Sequence, residues 1–158
     1  MITLRRAVQE DCPEIHRIQV KAFAPLLKIY RDHASSPVAE SVAQIRQRFA
    51  QPFTDYYLIC EDEQPVGMLR VCNFGEECQV SPICILPEHQ GRGYASIAMI
   101  LAELQYPKAK RWSLNTIQQE PSLCHLYESL GYVRTGRYEH IKDGMDLVYY
   151  RKDVDSNA

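Results

Sequence analysis

The sequence predicts a mixed α/β (α+β) domain, a central twisted mixed sheet of about seven strands flanked by about four helices. Three observations carry this. Strand-like and helix-like periods follow one another in the order β-α-α-β-β-β-α-β-α-β-β. Strand–helix–strand passages, from Cys78 to Asn115 and on to Tyr138, call for parallel pairing mid-sheet, because parallel neighbours need a long crossover. The 158 residues contain no linker-like stretch and no repeat, which implies one domain over residues 1–152 and a polar, frayed tail over 153–158.

Ile2 to Ala7 alternates as a first strand. Asp11 is placed to cap a helix with Pro13 in its first turn and Ile15, Ile18 and Ala22 on its apolar face. The stretch Pro25 to His33 reads equally as helix or loop. A second helix is expected from Ser36-Pro37, with Val42, Ile45 and Phe49 inward. Tyr56 to Glu61 and Val66 to Cys72 form a hairpin about a polar turn, and Asn73-Phe74-Gly75 leads into a strand from Cys78 to Leu86. Pro82 lies inside that strand and cannot donate to the ladder, so a bulge or an edge is expected there. A helix over about Gly91 to Gln105 should bury Tyr94, Ile97, Leu101 and Leu104. A strand at Arg111 to Asn115 follows, then a helix from Pro121 to Leu130 with Leu123, Leu126, Tyr127 and Leu130 at i, i+3, i+4, i+7 and Gly131 as its C′ residue. Tyr132 to Tyr138 and Asp146 to Arg151 close the chain as a hairpin across Lys142-Asp143-Gly144.

Composition narrows the partners. A formal net charge of −2 gives no electrostatic reason for general nucleic-acid binding. No apolar run is long enough for a membrane span, and the two arginines of MITLRRAVQEDCPE are followed by no apolar secretory core. The six cysteines form no CxxC pair, and Cys12 with His16 offers two ligands only, so no metal is expected. Reduced, buried thiols in a cytoplasmic protein are the expectation.

The most informative stretch is Ile83-Cys84-Ile85-Leu86-Pro87-Glu88-His89-Gln90-Gly91-Arg92-Gly93-Tyr94-Ala95-Ser96. An apolar strand enters a turn, and two glycines one residue apart open a helix. Free amides at a helix N-terminus, with the positive end of the dipole, hold a phosphate without a basic protein around them. A Walker loop would need Lys-Ser or Lys-Thr, which is missing, and a dinucleotide fingerprint would need a third Gly or Ala where Ser96 stands.

Gln90-Gly91-Arg92-Gly93-Tyr94-Ala95 fits Q/R-x-x-G-x-G/A and resembles the acyl-CoA loop of the GNAT superfamily of N-acetyltransferases. The element order is similar to that superfamily's over nearly the whole chain, and Pro82 sits where the family bulges its fourth strand, splaying its neighbours into a V. Ser122 to Tyr132 resembles the family's second motif, with Glu120 and Leu123 where the family often has Asn and Ala.

The resemblance implies that the amides of Gly91 to Ser96 hold the pyrophosphate of acetyl-CoA, as co-substrate, with Gln90 in the same loop. Arg92 either contacts phosphate or is simply solvated. Backbone groups of Ile83, Cys84 and Ile85 would pair with the pantetheine arm, one N–H polarising the thioester carbonyl. Tyr127 matches the tyrosine that protonates the departing thiolate, although on periodicity alone it is a core residue of its helix. The glutamate that several members use as a base falls on Gln79, which cannot accept a proton. Ser81 or Glu77 is left to act through a water; Glu76 and Glu77 read equally as solvated turn charges. His89 and His125 lie near the motifs, the latter reading as a helix-surface residue.

In the family the region from about Ala24 to Phe53 walls the acceptor site, and the candidate contacts are Tyr30, His33, Tyr56, Tyr57 and Gln79. The expected activity is acetyl transfer to a small-molecule or peptide amine by direct attack in a ternary complex, and the family's frequent dimers make a homodimer compatible. A non-catalytic acyl-CoA-binding module is the alternative, kept open by Gln79 and opposed by Tyr127.

Overall fold

The described residues, 1–154 of this computed structural model, form β1 (Ile2–Arg6), α1 (Cys12–Tyr30), α2 (Val42–Phe49), β2 (Thr54–Glu61), β3 (Gln64–Asn73), β4 (Glu77–Ile85), α3 (Tyr94–Leu104), β5 (Arg111–Ile117), α4 (Pro121–Ser129), β6 (Val133–Lys142) and β7 (Met145–Asp153). The strands make one mixed sheet in the order β1-β2-β3-β4-β5-β7-β6. On one face, α3 and α4 bury Ala98, Met99, Ala102, Cys124 and Tyr127 against Leu69, Val71, Trp112 and Tyr150. On the other, Ile15 and Ile18 of α1 and Ile45 of α2 pack on Tyr56, Leu58 and Met68.

The parallel pair expected in the middle is β4–β5. The second expected parallel neighbour is corrected: β7 lies between β5 and β6, antiparallel to both. The final hairpin turns at Gly144, φ +79°, and its more apolar strand goes inside, burying Met145, Val148 and Tyr150, while β6 is exposed nearly throughout. Asp153, assigned to the tail, is the last residue of β7, and Val154 N–H donates to Lys110 O at 2.8 Å. The rest of the expected tail, 155–158, lies outside the described residues.

Three helix expectations change. Asp11 does not cap α1 with its side chain; the carboxylate accepts from Val8 N–H at 2.8 Å and pairs with Arg5. That helix continues through Pro25 to Tyr30, which resolves the ambiguous stretch, and ends at Arg31 with φ +55°. Ser36-Pro37 starts only a 3₁₀ turn, Pro37–Ala39. The second α-helix starts after Ser41, whose hydroxyl accepts from Gln44 N–H at 3.1 Å while Gln44 Oε1 accepts from Ser41 N–H at 2.8 Å, a reciprocal capping box. Finally, α3 buries Ala98, Met99 and Ala102, leaving Ile97 and Leu104 exposed at 40% and 70%. A helix apolar on most sides has two stripes at helical spacing, and here the small residues let it sit closest to the sheet.

Strand β4 carries the bulge predicted at Pro82. Leu69 pairs with Ile83 and Val71 with Val80, so three steps of β4 oppose two of β3. The extra residue switches the parity of the strand: Cys78 and Val80 face α3 and α4 before it, Ile83 and Ile85 after it. Arg70 Nε donates to Ser81 O at 2.5 Å and holds the bulge. Beyond it β4 and β5 part: their ladder covers only Glu77–Gln79 against Arg111–Ser113. The result is a gap between two adjacent strands.

Candidate active site

The glycine loop stands at the end of β4. Gly91 and Gly93 take φ +80° and +77°, a region that costs other L-residues energy, and a side chain at either would meet open space. Gly93 is the N-cap of α3 and no side chain caps that terminus; the first helical bond is Ile97 N–H to Gly93 O, 3.2 Å. The amides of Tyr94, Ala95 and Ser96 therefore keep the unpaired N–H groups of a helix start. They open on a cavity of about 530 Å³ lined by Gly91, Gly93, Tyr94, Ala95 and Ser96 on one side and Ser122, His125 and Ser129 on the other. A free helix terminus at a cleft between α3 and α4 fits a pyrophosphate.

Gln90 is used within the protein: its Nε2 donates to Ile85 O at 2.9 Å and ties the loop to the end of β4. Arg92 is exposed. Across the β3–β4 ladder, a Cβ on Gly67 would lie 2.4 Å from Cys84 O, so only glycine permits this approach of strands beside Ile83, Cys84 and Ile85.

Tyr127 is 6% exposed and packs against Tyr132 and Tyr150 with ring centroids 6.2 and 6.3 Å away. Burial above all, then the neighbouring Cys84 and Cys124 thiols, push its pKa upward, and no hydrogen bond contributes. The phenol is thus a held proton with no partner in the described protein. Burial pushes Cys84 up to about 12, which makes it an inert neighbour and not a nucleophile.

The base and acceptor candidates scatter. Gln79 occupies the last rung before the β4–β5 gap, opposite Ser113. Glu77 is exposed and pairs with Arg111 at 3.6 Å, at the closed end of the gap, and Glu76 pairs with Lys110. Ser81 lines a second, polar cavity of about 320 Å³ with Pro82, Ser35, Ser36, Glu40, Gln44 and Arg48. Tyr57 faces the α3 side, its hydroxyl 2.8 Å from that of Tyr106, which donates to Asp55; it lines neither cavity. Tyr30 also lines neither, since its hydroxyl is taken by Glu120.

Sequence reasoning missed Ser122, Leu126 and Ser129, and treated His125 only as a surface residue. Ser122, His125 and Ser129 share i, i+3, i+7 spacing and Leu126 borders them at the edge of the apolar stripe, and that spacing was the available signal. The Glu40–Arg48 wall had none, because it is assembled from a 3₁₀ turn and the far end of a helix.

A splayed parallel pair with an uncapped, glycine-led helix start at its mouth defines a mixed α/β architecture with a cleft suited to an anion-bearing ligand. Residues 12–132 match the model of the acetyltransferase (GNAT) family. The chain belongs to that family and is an acyltransferase enzyme. Solved structures with the same fold include an acetyltransferase from Thermus thermophilus (20% identity, TM-score 0.77, covering 98% of this chain and 97% of that one). The ribosomal-protein-S18-alanine N-acetyltransferase of Escherichia coli is 16% identical with TM-score 0.76 over 98% and 95% of the two chains. The spermidine N-acetyltransferase of Vibrio cholerae, in complex with CoA and spermine, is 20% identical with TM-score 0.73 over 95% and 94%. A search of the curated proteins returns no match.

Proposed function

We propose that the chain transfers an acetyl group from acetyl-CoA to a primary amine by direct attack in a ternary complex. The observation that carries this reading is the β4–β5 gap, with the free amides of α3 at its mouth and the Tyr127 proton held beside β4. Family membership and a structural neighbour solved with coenzyme A support it.

When bound, acetyl-CoA supplies an acyl carbon activated as a thioester. The amides of Tyr94, Ala95 and Ser96, with Gly91 and Gly93, bind the pyrophosphate, and Arg92 adds a solvent-side charge. The backbone edge of Ile83 to Ile85 orients the pantetheine arm, and one N–H there donates to the thioester carbonyl as charge grows on its oxygen. The amine nitrogen bonds to the acyl carbon, the C–S bond breaks, and the sulfur takes the phenolic proton of Tyr127. Ser81, through a water, carries the amine proton out, and Glu77 is the more distant alternative. The tyrosine is then reprotonated, so the sum is ammonium plus thioester giving amide, thiol and one proton.

Six buried, free thiols suit a reducing compartment, and we place the enzyme in the cytoplasm. No helix of the described residues is long and apolar enough to cross a membrane.

A thermal-shift series with acetyl-CoA, CoA, NAD and ATP tests the binding half. A ligand at one hundred times its Kd stabilises by about 2.7 kcal/mol, so the first two should raise Tm and the others should not. Thiol release across an amine panel tests transfer. No shift with either CoA species at millimolar concentration overturns the reading; binding without thiol release from any amine points to an acyl-CoA-binding module.

A further inference from the structure

The second cavity sits where the extra residue of β4 opens the sheet, on the face covered by α1 and α2. Its charged lining is one ion pair, Glu40 with Arg48. Glu40, its one carboxylate, is already satisfied: Arg48 Nη2 lies 2.8 Å from one oxygen and Gln19 Nε2 lies 3.3 Å from the other. Arg70 stands beside the cavity wall on the neighbouring strand, donating Nε to Ser81 O at 2.5 Å. That bond fixes the guanidinium but leaves its two Nη groups, and Arg70 has no carboxylate within ion-pair distance among the described residues.

Directly across the β2–β3 ladder from Arg70 is Tyr56. Its side chain is 1% exposed, and its hydroxyl is buried without a hydrogen-bond partner, a costly arrangement in an isolated protein. Burial pushes this phenol up, and the Arg70 guanidinium opposes that shift. A half-buried arginine thus stands on the bulge through Ser81 O, a second arginine lines the cavity, and a hydroxyl without a partner belongs to the residue opposite Arg70 on β2. Two guanidinium groups against one carboxylate repel a second ammonium and favour an anion; Arg geometry suits a carboxylate in particular. At roughly 30 Å³ per water molecule, the cavity of about 320 Å³ has room for about ten waters, the scale of a small amino acid.

We propose that this cavity is the acceptor pocket and that Arg70 binds the carboxylate of a small amino-carboxylate acceptor, presenting its α-amine to the thioester beyond Ser81. The inference rests on the acetyl-transfer reading and adds the substrate class. Arg48, ion-paired with Glu40, completes the polar wall.

The test is acetyl-CoA-dependent thiol release with free L-amino acids, each paired with its decarboxylated amine (histidine with histamine, phenylalanine with phenethylamine, lysine with cadaverine), and with short peptide amides. At least one amino acid should exceed its amine in kcat/KM by tenfold or more, since a site built for a polar group discriminates strongly against analogues that lack it. In Arg70→Gln that ratio should collapse to within about threefold, mostly through KM, with Arg70→Lys between the two. Retained stabilisation of Arg70→Gln by acetyl-CoA shows that the variant is folded. Equal or better use of decarboxylated amines or peptide amides overturns the inference while leaving acetyl transfer intact. Acetyl-CoA binding without acetylation of any amino acid also overturns it. Failure of acetyl-CoA to bind the unmodified protein overturns the transfer reading, and this inference with it.

Discussion

Tyr30, the last residue of α1, donates its hydroxyl to the Glu120 carboxylate at 2.5 Å although the two are 90 residues apart. The helices concerned lie on opposite faces of the sheet, and the bond joins them where β5 gives way to α4. Glu120 stands where the resembling family often has asparagine. Here its carboxylate clasps α1 to the start of the helix that carries Tyr127. Tyr30→Phe should therefore lower stability by about 1 kcal/mol, a charge-assisted bond discounted for its half-exposed setting. Urea midpoints of the two proteins check this, with an unchanged m-value expected.

Alkaline stability follows from the tyrosines. Burial, then Glu120, pushes Tyr30 up to about 12, and burial pushes Tyr56 up to about 12. Burial also raises Tyr106, Tyr127, Tyr132 and Tyr150. The unfolded chain releases these protons near pH 10, whereas the folded chain keeps them, so the unfolded state binds fewer protons above that pH. This contribution is fully present below about pH 10 and is lost as pH rises from 10 towards 12. Urea titrations at stepped pH should show that fall, and tyrosinate absorbance should rise together with unfolding.

Tyr127→Phe separates chemistry from packing. The hydroxyl makes no hydrogen bond within the described protein, so its removal should leave Tm nearly unchanged and acetyl-CoA stabilisation intact. Loss of the proton donor should lower kcat by about 10²- to 10⁴-fold. Full turnover would reduce Tyr127 to a core residue.

Two glycines should fail differently from a third. At Gly91 or Gly93, valine is forced into positive φ at the ligand loop, and a strain of roughly 1–2 kcal/mol per residue should weaken acetyl-CoA binding about tenfold or more by calorimetry. At Gly67, alanine puts a methyl against Cys84 O, and overpacking by about 1–3 kcal/mol should appear first in the urea midpoint.

The thiols should be silent in the native protein. All six are buried and free, with Cys78 pushed up to about 11 and Cys84 to about 12 by burial. An aromatic disulfide reagent should label them slowly under native conditions and titrate all six after denaturation. Fast native labelling of Cys84 would contradict its burial in β4.

Residues close in sequence were legible without coordinates. The element order, the β2–β3 hairpin, the bulge at Pro82 and the helix opening at Gly91 to Ser96 each follow from a local cause: a missing N–H, a period of side chains, glycines able to take positive φ. Contacts between distant segments were not. Nothing local says that β7 goes inside β6, because that choice depends on which strand has more apolar surface to bury once the hairpin has formed. Periodicity could not choose between two stripes of α3, since both are apolar and the sheet selects the smaller residues.

The sequence by itself determined the family architecture and the glycine-led helix start, which reside in contiguous residues and obey local backbone rules. Tertiary structure alone decided the rest of the site. It set Tyr30 on Glu120, withdrew Tyr57 into the core, gave Ser122, His125 and Ser129 of α4 to the cleft, and brought Arg70 to Ser81 at the bulge and Arg48 to Glu40 at the wall of one cavity. Those groups meet only because the sheet forms, and charge and burial are properties of what meets.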